Sequence, residues 1–231
     1  MTSGSKLRRK SPDRPKRRVG RPNQVSLDQI LDQVMQMGFD NFSLHSLAAA
    51  LNVTPSALYR HVANKKDLEE RFVDMVTSQY PIKDYNGEDW KIWIREFALT
   101  LHEMYTLVPG LAAFTVRQTM PTGPVYIRND NAVRAARDAG FGEAESFYAT
   151  RAVIDFVAGW VTRAQLRDAV MREEGVHSDD HFATTLLAVA DPKYEALKRA
   201  VRAARADPPN RKFLYTLDAL IDGLYINRSG G

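Results

Sequence analysis

The 231-residue chain has no cysteine. Disulfides, thiolate metal sites and a cysteine nucleophile are thereby excluded, and the absence fits a reducing compartment such as the cytoplasm. No run of about 18 apolar residues occurs, so no membrane-spanning helix is expected. The basic N-terminus is not followed by an apolar segment and does not read as a secretory signal. There is no glycine-rich phosphate loop and no Gly-x-Ser-x-Gly elbow. His177 and His181 stand four apart, but two ligands without a third make a weak metal motif, and Ser178-Asp179-Asp180 between them reads as a loop before a helix cap. No cofactor, metal or catalytic residue is expected, which leaves an enzyme with a helical scaffold the least supported class. Alternating strand patterns are also missing, so an all-α fold is expected.

Hydrophobic residues make up 44% of the chain, a globular composition. The formal net charge is +4. Residues 1–25 carry nine Lys/Arg against one Asp, whereas residues 26–80 carry four against seven Asp/Glu and residues 81–231 carry nineteen against twenty. The basic character is thus confined to the tail, which argues for a basic arm on a near-neutral body. Residues 1–22 hold almost no apolar side chains and cannot bury enough surface to offset chain entropy. Their end, Lys16-Arg17-Arg18-Val19-Gly20-Arg21-Pro22, resembles an AT-hook, whose Gly-Arg-Pro core lays arginine into a narrow A·T minor groove. Arg17, Arg18 and Arg21 are the candidates for such contacts, although a merely solvated basic tail would look the same.

The most informative stretch is Ser43 to His61, SLHSLAAALNVTPSALYRH. Ser43 is a good N-cap, and Leu44, Leu47, Ala48 and Leu51 recur at helical spacing. Asn52 tolerates the left-handed backbone of a tight turn, and Val53 plugs the gap between two helices. Thr54 should cap the second helix and Pro55 should occupy its first position, where a missing N–H costs nothing. Ala57 and Leu58 can face inward. Thr54, Ser56, Tyr59, Arg60 and His61 then point outward, as on a helix that enters a DNA major groove. Upstream, Ser26 should cap a helix over Leu27–Met37 that ends at Gly38. Downstream, Asn64 should cap a fourth helix whose start, with Lys65, suits a phosphate.

The run ALYRHVANKKDLEERFVD, together with the order of elements from Gly20 to Tyr80, resembles the helix-turn-helix signature of the tetracycline-repressor (TetR) family of bacterial transcription regulators. The pieces LVPGLAAFTV, PTGPVYIRNDNAVRAARDAGF and AVIDFVAGWV are similar to regulatory halves in that family. The resemblance implies a TetR-like, all-α fold with three parts: a disordered basic arm (1–22), a helix-turn-helix DNA-binding domain (23–80), and an effector-binding and dimerisation domain (81–231). It implies a homodimeric, ligand-responsive regulator, most simply a repressor released from a palindromic operator by a small molecule. The DNA-contacting set is then Ser43, His45, Thr54, Pro55, Ser56, Ala57, Tyr59, Arg60, His61 and Lys65, with Ser56, Arg60, Ser43 and His45 nearest base edges or adjacent phosphates. The rival reading is a non-specific or architectural DNA binder acting through its arm.

Proline and glycine punctuation after residue 81 places helices near 89–107, 110–119, 124–139, 143–172, 181–189, 192–206 and 210–227. The last carries an apolar stripe, Phe213, Leu217, Leu220, Ile221 and Leu224, which is expected to be the dimer face, though ordinary core would satisfy it equally. The other helices should enclose a mostly apolar cavity. Its candidate lining is Trp93, Phe97, Tyr105, Phe114, Met120, Tyr126 and Phe147. Its candidate polar anchors are His102, Arg117, Gln118, Asn129, Arg151 and Asp155, of which Arg151 and Asp155 also read as a plain i, i+4 pair.

Overall fold

The computed structural model describes residues 25–39, 41–117, 123–175, 178–189, 191–208 and 210–228. Among them are eleven α-helices, one 3₁₀ turn and no strand. Arg17, Arg18, Arg21, Gln118 and Met120 lie outside the described residues, as does His177.

Four helices come first: α1 (Leu27–Met37), α2 (Leu44–Ala50), α3 (Pro55–Leu58) and α4 (Lys65–Gln79). α1 starts where expected, with Ser26 accepting from the Gln29 N–H while the Gln29 side chain returns to the Ser26 N–H. It stops at Gly38, whose φ of +84° a side chain would strain. Ile30, Leu31 and Val34 of α1 pack with Leu47, Leu58, Leu68 and Phe72 into one buried cluster.

The remaining helices are α5 (Trp90–Leu107), α6 (Leu111–Arg117), α7 (Gly123–Asp138), α8 (Glu143–Glu174), α9 (Ser178–Ala188), α10 (Glu195–Arg205) and α11 (Arg211–Ile226). α9 begins at Ser178, so Ser178-Asp179-Asp180 is helix and not the expected loop. α5 buries one stripe, Trp90, Trp93, Ile94, Phe97, Ala98, Leu101, Met104 and Tyr105, against α7, α8 and α11, and leaves Ile92, Glu96 and Glu103 exposed. The 32-residue α8 packs against α5, α6, α7 and α11 and ends at Gly175 in the left-handed conformation. Two ion pairs fasten α11 to α5, Lys91–Asp222 at 2.8 Å and Arg95–Asp218 at 2.7 Å. Both are solvent-accessible, so each adds at most about 1 kcal/mol.

The expected dimer stripe divides in two. Phe213, Leu217 and Ile221 are only 4%, 0% and 3% exposed within a single chain. They close the core against α5 and α8, with Phe213 stacked on Phe156 and packed on His102. They are core residues and not an exposed interface, because an i, i+3/i+4 stripe is satisfied first by the nearest apolar neighbour, here in the same chain. Leu220 and Leu224 sit on the flank of that stripe and remain partly exposed.

Candidate functional site

The first surface is built by α2, α3 and the turn between them. Asn52 has a φ of +53°, which lets the chain reverse in three residues. The Asn52 and Val53 N–H groups donate back to the Ala49 and Ala48 carbonyls at 3.1 and 3.0 Å. Leu47, Ala48 and Leu58 are buried beneath the turn and fix the angle between the two helices. α3 itself is one turn, continued as tight turns through His61 by the His61 and Val62 N–H groups on the Leu58 carbonyl. Thr54, Pro55, Ser56, Tyr59 and Arg60 are exposed, while Ala57 and His61 are half-buried. Tyr59 stands 55% exposed, a large apolar ring held out in water. Arg60 makes no ion pair among the described residues.

Thr54 differs from expectation. It occupies the N-cap position, but its hydroxyl makes no cap bond and pairs instead with the Ser56 hydroxyl at 2.9 Å. Ser43 does cap α2, accepting from the Ser46 N–H at 3.0 Å. Its oxygen is therefore committed to the helix end, while His45 in the first turn is exposed. The start of α4 also differs. Asp67 already takes the Ala63 N–H at 2.8 Å, and Asn64 takes the Asp67 N–H at 3.0 Å. That backbone hydrogen bond, with Arg71 beside it, holds the Asp67 carboxyl below its ordinary pKa. The helix start is thus already matched by an internal carboxylate. Lys65, placed over the Phe42 ring and 3.6 Å from Glu69, supplies the exposed cation.

The second site is a cavity of about 660 Å³ walled by α4, α5, α6, α7 and α8, inside the range of about 300–1,000 Å³ typical of small-molecule sites. Six of the expected residues line it: Tyr105, Phe114, Tyr126, Asn129, Phe147 and Arg151. Five do not. Trp93 and Phe97 are core nearer the start of α5, stacked on each other two to three turns before the cavity-lining Met104, with the Trp93 indole donating to the Lys83 carbonyl. His102 is half-buried against Phe213, and burial holds its pKa below the ordinary value. Asp155 is exposed and pairs with Arg151 at 2.6 Å, the plain i, i+4 reading. Arg117 ends α6 on the exposed side. The aromatic signal misled at these positions because core and pocket need the same side chains.

Sequence reasoning missed Arg128, Asp130, Val73 and Thr77, all on the cavity wall. The first two sit in a polar-looking run, IRNDN, that gives no hint of burial. Asn129 does line the cavity. The signal available for α7 was its small-residue face, Ala132, Ala135 and Ala136, all fully buried. That face sinks the helix into the bundle and carries Arg128 with it.

The two sites are mechanically joined. The Phe39 N–H after α1 donates to the Pro109 carbonyl before α6 at 3.2 Å. The Phe39 ring stacks on Phe72 of α4 at 4.8 Å and meets Phe114 of α6 edge-on at 4.7 Å. Phe114 in turn lines the cavity. Val73 and Thr77 put α4 itself on the cavity wall.

A separate shallow groove of about 340 Å³ lies between α8 and α11, lined by Tyr148, Ala149, Leu220, Gly223 and Leu224 among others.

Comparison with known proteins places these features. The tetracyclin repressor-like C-terminal domain model matches residues 83–227. The class D tetracycline repressor of Escherichia coli is 23% identical over 204 residues, which cover 87% of each chain. Apo ActR from Streptomyces coelicolor has a TM-score of 0.72 at 18% identity, covering 88% of this chain and 96% of that one. BioQ, solved with its double-stranded DNA operator, has a TM-score of 0.59 at 21% identity and covers 88% of this chain and all of its own. No helix of the described residues is long and apolar enough to cross a membrane. With a family model spanning well over half its length and an exposed helix-turn-helix ahead of a walled cavity, the chain belongs to the tetracycline-repressor family of ligand-responsive, DNA-binding transcription regulators.

Proposed function

We propose that the protein is a cytoplasmic, homodimeric repressor that leaves a palindromic operator when a small molecule fills the α4–α8 cavity. Residues 23–80 form the DNA-binding domain and residues 81–231 the effector and dimerisation domain. The observation that carries the reading is the shared wall: Val73 and Thr77 of α4 face the same cavity as Phe114. An occupant that packs better against one position of α4 biases that position, and the short bundle of α1 to α3 moves with it.

On this reading Arg60 and Ser56 reach base edges, and Tyr59, His61, Lys65 and the α2 start with Ser43 and His45 meet phosphates. Thr54, Pro55 and Ala57 form the close-packed rim of the same face. Arg17, Arg18 and Arg21 add minor-groove and phosphate contacts from the arm. Leu220 and Leu224, with Tyr148 across the groove, replace Phe213, Leu217 and Ile221 as the dimer face. A two-fold dimer is favoured because one α3 turn reads few bases, whereas a pair reads two half-sites about one helical turn apart.

The test is selection from random duplex DNA at physiological salt with the full chain and with a chain lacking residues 1–22. An inverted repeat enriched by both supports the regulator. Asymmetric A·T-rich DNA, absent after truncation, would overturn it in favour of an architectural binder.

A further inference from the structure

Among the described residues, Arg128 is the one charge on the cavity wall whose balance is not met inside the chain. The other charged wall residues are paired: Arg151 with Asp155 at 2.6 Å and Asp130 with Arg134 at 3.2 Å. Arg128 forms no ion pair among the described residues, and its Nε has no hydrogen-bond acceptor although the residue is only 8% exposed. Its neighbour is the Tyr105 hydroxyl, itself fully enclosed and without a hydrogen-bond partner. Burial pulls the guanidinium pKa down; the Tyr105 hydroxyl beside it opposes that pull, and no carboxylate does. Leaving a buried guanidinium uncompensated is among the costliest arrangements a fold can hold. A fixed donor pair at the wall of an otherwise apolar cavity, lined by Met104, Leu111, Phe114, Val133 and Ile154, pre-organises a receptor for negative charge.

We infer that the effector is an acid: a small, largely apolar molecule whose anionic group docks on the Arg128 guanidinium and accepts a hydrogen bond from the Tyr105 hydroxyl, with its apolar body between α6 and α8. The inference rests on the cavity being the effector site. The guanidinium fork suits a planar carboxylate or a sulfonate, and an anion there forms charge-assisted bonds in a low-dielectric setting. The apolar walls disfavour a highly charged compound such as a nucleotide, since further charges would be buried without partners.

The experiment uses two fluorescent probes that differ only in the anion, 1-anilinonaphthalene-8-sulfonate and neutral N-phenyl-1-naphthylamine, titrated against the full chain. The sulfonate is expected to bind about tenfold or more tighter than the neutral probe, as the worth of one charge-assisted hydrogen bond implies. Arg128→Met should reduce the sulfonate to the affinity of the neutral probe and leave the latter unchanged, which also shows that the variant cavity is folded. Arg128→Lys should restore part of the preference. Equal binding of both probes, or an undiminished sulfonate affinity in Arg128→Met, would overturn the inference while leaving the cavity as a ligand site. Binding of neither probe would instead count against the cavity as a ligand site, and the inference would fall with it.

Discussion

The Phe39 ring meets the Phe114 ring edge-on, with centroids 4.7 Å apart, while its own backbone N–H is tied to Pro109. One residue after α1 therefore touches both the helix-turn-helix bundle and the wall of the cavity. Phe39→Leu keeps an apolar filler but removes the ring stacking with Phe72 and Phe114. Effector affinity for the free protein should stay near the parent value. The factor by which effector weakens operator binding should fall. The two titrations, run with and without operator, measure that factor directly, and an unchanged ratio would show that Phe39 carries none of the coupling.

Arg60 is exposed beside the single turn of α3 and has no ion-pair partner among the described residues. Arg60→Ala should cost about 1–3 kcal/mol of operator binding and relax preference at one base position in each half-site. Competition against a panel of singly substituted operators checks this. A uniform loss across the panel would assign Arg60 to phosphate instead.

Deleting residues 1–22 removes nine Lys/Arg and one Asp and turns the net charge of the chain from positive to negative. Operator affinity should fall, and the slope of log affinity against log salt should shallow by about 0.9 for each phosphate that the arm neutralises in the full chain. The preferred sequence should be retained. A slope unchanged by truncation would mean that the arm stays off the duplex.

Leu217 and Leu224 lie on one helix but face different surroundings, the first fully enclosed and the second flanking the groove. Leu217→Ala should cost about 2–5 kcal/mol of stability. Leu224→Glu should leave the fold of each protomer intact and shift light-scattering mass toward the monomer. A Leu224→Glu variant that remains fully dimeric would move the dimer face elsewhere.

His102 is half-buried against Phe213, and burial lowers its pKa from the ordinary 6.5. The unfolded chain binds the proton more readily than the folded one, so stability rises with pH through this window. The contribution is fully present above the ordinary value and is lost as pH falls below it toward the folded value. The thermal midpoint should drop between pH 7.5 and pH 5.5, and His102→Gln should reduce that drop. An equal drop in the variant would assign the pH dependence to other groups.

The helix-turn-helix was legible because its information is local. Ser26, Ser43, Asn52 and Asn64 each act within a few residues, through a cap or a turn, and each takes the conformation its residue type favours. The helix limits after residue 81 were nearly as legible, since glycine and proline mark them. What the residues could not reveal was facing. Trp93 and Phe97 read as pocket and are core, because core and cavity wall take the same aromatic side chains, while Arg128 was not singled out and is enclosed. The split of the α11 stripe is the same problem: Leu217 and Leu220 are equally apolar, and only the packing of α5 and α8 separates them. Thr54 failed as a cap because the nearby Ser56 hydroxyl competes for its oxygen.

α8 carries Phe147, Arg151 and Ile154 on the cavity and Tyr148 and Ala149 on the outer groove. The two surfaces are back to back on a single helix, interleaved residue by residue. A lineage that retunes this cavity by shifting or rotating α8 therefore also moves the very wall by which, on our reading, copies recognise one another. Drift in chemical taste and drift in self-recognition would then be inherited together. Duplicated genes that part ways over their inducer would, by the same step, stop forming mixed pairs, so each regulatory circuit becomes insulated from its sibling without separate selection for insulation.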